Sequence, residues 1–95
     1  MYEEYYQAEG DALEDREIPS TLTAAAKDSF LFGAHASKDA VTSYAWTQGQ
    51  DVSSIMSYYS ISGSTEEQQL KDMHQDGYDW YASHPDSSLP PRPPR

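Results

Sequence analysis

The chain contains no cysteine, so neither a disulfide framework nor a thiolate metal site can be built from it. Basic residues are scarce: six Lys and Arg stand against sixteen Asp and Glu, a formal net charge of −10. Such a surface repels nucleic acid and anionic membrane, and it attracts basic proteins at long range. Apolar runs are short as well. Ala24–Ala26 and Phe30–Phe32 reach three residues, whereas a membrane span requires about 18–20. Met1-Tyr2-Glu3-Glu4 lacks the positive region and apolar stretch of a signal peptide. The expected location is therefore the cytoplasm, or a particle assembled there.

Motifs that carry chemistry are missing too. No two of His35, His74 and His84 stand at i, i+4, as a helical metal site requires. His74 is expected to be solvated or to cap a helix. Asp76-Gly77 lacks the alternating acids and closing Glu of a calcium loop. There is no Gly-x-Ser-x-Gly elbow and no Gly-rich phosphate loop. Acids are so abundant that no single pair stands out as a general acid and base. The expectation is a protein that is not an enzyme and uses neither cofactor nor metal.

What is present is charge in two blocks. Residues 1–17 carry a net −6 and residues 65–86 a net −5, around a middle, 18–64, of net −1; Arg92 and Arg95 return +2. Hydrophobic residues make up 37%, below the usual 45–50% or so. A chain of 95 residues has room for one thin core.

Three parts follow: an acidic, Tyr-rich arm (1–18), a small helical domain (19–84) and a Pro-rich tail (85–95). The fold class is mainly α, with two or three amphipathic helices, an extended arm and an extended tail. Pro19-Ser20 marks a helix start. From Leu22 to about Tyr44, Leu22, Ala26, Phe30, Gly33, Ser37, Ala40, Val41 and Tyr44 fall on one stripe at 100° per residue. Its small residues let a second helix approach closely. Leu31 and Phe32 lie off the stripe, so this helix is apolar on two sides.

Thr47-Gln48-Gly49-Gln50 reads as a turn, with Asp51 capping a short helix whose apolar face is Val52, Ile55, Met56 and Tyr59. Ser64-Thr65-Glu66-Glu67 matches a capping box. It opens a helix carrying Leu70, Met73, Gly77, Trp80, Tyr81 and His84 on one side, which ends at His84-Pro85. Gly77 costs helix stability and so points to close packing. The tail should be extended polyproline II.

These patterns favour a small accessory structural subunit of a larger assembly, such as a phage virion. The expected partners are other protein subunits with basic or apolar surface, a second copy included, with no direct contact to nucleic acid or membrane. The expected contact residues are Tyr2, Tyr5, Tyr6, Leu31, Phe32, Trp46, Pro90, Arg92 and Arg95. The alternative is an acidic inhibitor occupying the nucleic-acid groove of a basic protein. Its mock phosphates would be Glu66, Glu67, Asp72, Asp76 and Asp79, because carboxylates along a helix face roughly echo phosphate spacing. In composition alone the chain resembles acidic phage inhibitors of host DNA-binding enzymes.

Overall fold

A computed structural model describes residues 1–94; the expected contact Arg95 lies outside them. Among these residues the chain forms four helices, α1 (Glu3–Asp15), α2 (Thr23–Lys38), α3 (Tyr44–Tyr59) and α4 (Ser64–Ser83). A single 3₁₀ turn, Ser20–Leu22, leads into α2.

The fold is mainly α, with more helix than the two or three segments expected. The first eighteen residues are not an extended arm. Tyr5, Glu9 and Ala12 recur at i, i+4 and i+7 and are buried, so α1 has a face to dock. Glu3 and Glu4 occupy its first turn, where carboxylates complement the helix dipole. The Tyr5 ring meets Phe30 at 5.6 Å and Trp80 at 5.9 Å, edge to face, an orientation favoured by the ring quadrupole. Its hydroxyl donates to Glu9 at 2.9 Å. Burial, reinforced by the neighbouring Glu9 carboxylate, pushes the Tyr5 phenol far above its ordinary value. Burial likewise raises Glu9, against the opposing pull of the Tyr5 hydrogen bond.

Helix α2 is the central element. Ala25, Ala26, Ser29, Phe30, Leu31, Gly33, Ala34 and Ala36 are all buried, which places contacts around most of its circumference. It runs through Gly33 without a break and stops at Lys38, short of Tyr44. Its main partner is α4. Gly33 rests against the His74 backbone and Gly77 against the Phe30 backbone. Three residues back along α2 meet three residues onward along α4, so the pair is antiparallel. The small-residue stripe and Gly77 thus meet each other inside one chain.

Three helices end in the same way. After α1, Ile18 N–H bonds the Leu13 carbonyl and Glu17 N–H bonds the Glu14 carbonyl, both at 3.0 Å. Val41 to Ala36 and Ala40 to Ser37 repeat this after α2, and Ile61 to Met56 and Ser60 to Ser57 after α3. These are Schellman closures, whose hinge residue is left-handed. The hinges are Glu17, Ala40 and Ser60, at φ of 52°, 52° and 55°, and none is glycine.

Two local expectations are corrected. Helix α3 begins at Tyr44 and runs through Thr47–Gln50, so no turn lies there and Asp51 is internal rather than a cap. The capping box does not form: the N-cap of α4 is Gly63 at φ 117°, with no side-chain cap bond. Glu66 folds back over Gly63, and Glu67 pairs with Lys71 at 3.0 Å.

No regular element follows Ser83 among the described residues. The tail nevertheless returns to α2: His35 Nε2 donates to the Pro90 carbonyl at 2.7 Å, Pro90 is buried, and Leu89 packs on the core.

Candidate functional site: a neutral helix face and an acidic groove

Helix α3 is held from beneath by a chain of hydrogen bonds. Gln48 Nε2 donates to the Lys71 carbonyl at 3.0 Å and to the Tyr44 oxygen at 3.2 Å. The Tyr44 hydroxyl lies 2.7 Å from His74 Nδ1, and His74 Nε2 lies 2.8 Å from Asp51. With the ring proton on Nε2, every donor in this chain has an acceptor. His74 is fully buried, not solvated as its position on α4 suggested. Burial raises the Tyr44 phenol above its ordinary range; the Gln48 hydrogen bond opposes this, and the charges of Asp79, Tyr78 and Asp51 add to it. An acid, a histidine and a hydroxyl in a row can relay protons in principle. Here the three groups link α3 to α4.

With Val52 and Ile55 buried and Asp51 turned toward His74, the outer face of α3 is left without charge. Between Asp39 and Glu66 the only charged residue in the sequence is Asp51. Trp46, Gln50, Ser53 and Ser57 form one stripe at 100° per residue, with Ser54 and Tyr58 beside it. All six are exposed, and the two aromatic residues are prominently so, Trp46 at 67% and Tyr58 at 62%. This is the uncharged side of a molecule that carries −10.

The second surface is a groove of about 760 Å³ between α1 and α4. Ala12, Ile18, Phe30 and Trp80 contribute apolar lining, and Asp11, Asp15, Asp72, Asp76 and Asp79 line it with acid. Arg16 reaches across from the end of α1. Its Nε and Nη2 donate to the two Asp76 oxygens at 2.7 and 2.9 Å, and Nη1 lies 3.6 Å from Asp72. This bidentate bond to Asp76 raises the Arg16 guanidinium above its ordinary value.

The expected contact residues are scattered by the fold. Tyr5, Leu31 and Pro90 are covered by the chain itself. Tyr2 and Phe32 are partly buried and pack against the core. Tyr6 and Trp46 are exposed. Arg92 is half exposed, 3.7 Å from Asp39. Among the acids of the alternative reading, Asp72 and Asp76 hold Arg16 and Glu67 holds Lys71. Asp79 accepts from Gln75 at 2.9 Å.

Sequence reading missed the Tyr44–His74–Asp51 chain, whose members lie 23 and 30 residues apart, beyond any local spacing. It also missed Gln50, Ser53, Ser54, Ser57 and Tyr58 as a face. The signal for that face is the long interval 40–65, in which Asp51 is the only charged residue.

Among the described residues no group of three His, Cys, Asp or Glu could hold a metal ion, and no helix is long and apolar enough to cross a membrane. No known family model, curated protein or solved structure matches the chain.

Proposed function

We propose that the chain is a non-enzymatic interaction protein, a small accessory subunit joined to a larger assembly through the outer face of α3. The observation that carries this reading is the uncharged, aromatic-bearing stripe on an otherwise strongly acidic molecule. Covering it desolvates no charge, and removing charges from water is the largest penalty an interface can incur. Exposed Trp and Tyr are the side chains that most often dominate binding energy. Ser and Gln around them supply adaptable hydrogen bonds, a combination that also marks antibody-type contact surfaces. The rest of the surface, rich in carboxylates, keeps the subunit soluble and excludes unintended neighbours.

The nucleic-acid-mimic reading draws less support. A mimic needs free carboxylates in a row, and Asp72 and Asp76 already share Arg16. Sedimentation of the chain in an extract of its source separates the two. An assembly subunit migrates far above its own 10.7 kDa and stays there in about 1 M salt, where the Debye length falls to roughly 3 Å. Replacing Trp46 with Glu releases it. Release by salt alone, with no effect of Trp46→Glu, would overturn the proposal in favour of a charge-based contact.

A further inference from the structure

The α3 face fits one occupant particularly well. We infer that it takes a second copy of this chain, in an antiparallel pairing of α3 against α3 about a two-fold axis. This rests on the α3 face being the contact surface, as proposed above, and adds the identity of a partner.

Symmetry limits which face can serve. In a two-fold pair each surface patch meets its own image. For this chain that rule removes most faces. Exposed Glu3, Glu4, Asp11, Glu14 and Asp15 on α1 would meet carboxylates, and the acids of α4 would do the same. Lys27 on α2 would approach its own image. Like charges brought together in an interface are strongly disfavoured. The α3 stripe has no charge to repel.

Shape leads to the same pairing. Along the stripe the bulky residue, Trp46, stands at the start, and the small residues, Ser53 and Ser57, stand in the middle and at the end. Antiparallel pairing centred between Asp51 and Val52 lays each Trp46 over Ser57 of the second copy and each Gln50 over Ser53. Large meets small at both ends, and amide meets hydroxyl at the centre. The serines allow the helix axes to approach at the short end of the usual 8–10 Å or so.

The pairing is weak by area. A 16-residue helix is about 24 Å long, and one face of it offers a few hundred Å², against roughly 800 Å² per partner in a standard complex. The dimer therefore forms at high local concentration, as within an assembly, and dissociates on dilution. Its salt response is distinctive. Two molecules of −10 repel each other at long range while their contact is neutral, so screening strengthens the association instead of weakening it.

Sedimentation equilibrium of the purified full chain tests this, from about 10 µM to about 1 mM protein and in both about 0.02 and about 0.5 M salt. The expected result is a mass rising from 10.7 kDa toward twice that value, at lower protein concentration in the higher salt. Trp46→Ala, a change at an exposed position that leaves the helical circular dichroism intact, weakens the association by at least about tenfold. Tyr6→Ala, which removes another exposed aromatic on α1, leaves it unchanged. In this cysteine-free chain, Ser53→Cys gives an oxidised dimer under mild oxidation, and Ser83→Cys does not. A monomer at the highest concentration in both salts would overturn the inference, as would an association that weakens with salt or ignores Trp46→Ala. A chain that stays monomeric alone yet is held by other subunits through α3 would refute the second copy while leaving the proposed function standing.

Discussion

Gly33 and His74 stand with backbone against backbone: the Gly33 Cα faces the His74 carbonyl and leaves no room for a methyl group. Gly77 repeats the arrangement against the Phe30 carbonyl. Since backbone cannot move aside as a side chain can, Gly33→Ala and Gly77→Ala each force α2 and α4 apart. The expected loss is at least about 2 kcal/mol for either, measured by urea unfolding. The double variant should lose less than the sum, because one methyl already opens the gap that the other needs.

The chain of hydrogen bonds beneath α3 makes a second test. Asp51→Ala leaves the fully buried His74 Nε2 proton without an acceptor, which costs about 1–3 kcal/mol. Asp51→Asn keeps an oxygen in reach and should lose less. The two are compared by urea midpoint at constant slope, since a changed slope signals a different unfolded or native state.

Glu17, Ala40 and Ser60 hold left-handed backbone at the ends of three helices, and all three are exposed. Left-handed geometry costs a residue with a Cβ roughly 1–2 kcal/mol, and glycine recovers that at some expense of unfolded-state entropy. Each of Glu17→Gly, Ala40→Gly and Ser60→Gly should therefore stabilise the chain by about 0.5–1 kcal/mol. The three sites are far apart in sequence and share no bond, so a triple variant should be near-additive in thermal unfolding.

Titration gives a fourth. The Tyr5 phenol is raised in the folded state, so above its ordinary value of 10.0 the unfolded chain loses a proton that the folded chain retains. Stability must then fall as pH rises, by up to about 1.4 kcal/mol per pH unit. Tyr44 shifts the same way. Tyr5→Phe flattens this alkaline decline. At the acid end Glu9 is also raised, so its contribution falls as pH climbs through the carboxylate range. Glu9→Gln, whose amide oxygen still accepts from Tyr5, should gain stability relative to the parent as pH rises above the ordinary carboxylate value. Urea unfolding across pH reads both.

The helical class and the close packing of small residues were legible because both live in local periodicity: Leu70, Met73 and Gly77 on one side of α4, Ala26 and Gly33 on α2. Helix ends were less so. Left-handed termini are usually marked by Gly or Asn; Glu17, Ala40 and Ser60 carry no such mark, so periodicity alone carries α2 on to Tyr44. Helix α1 was hidden by its acids. Its docking stripe of Tyr5, Glu9 and Ala12 includes a carboxylate, held in the core by the Tyr5 hydroxyl one turn earlier and by the charge of Lys27 on α2. Tyr44, Asp51 and His74 come together through the packing of α3 on α4, which no spacing within either helix encodes. The neutral face of α3 was written in the sequence as an interval whose one charge is Asp51, and only the fold, by turning Asp51 toward His74, made that interval an uncharged surface.

The central claim is that this face is what the protein uses, and a photoreactive residue reads it most directly. A benzophenone amino acid at Gln50, beside Trp46, should yield cross-links to another polypeptide, a second copy included, when irradiated in the native assembly. The same probe at Asp79, on the acidic groove, should yield none. Cross-links from Asp79 with Gln50 silent would contradict the account and place the working surface on the carboxylates of α4.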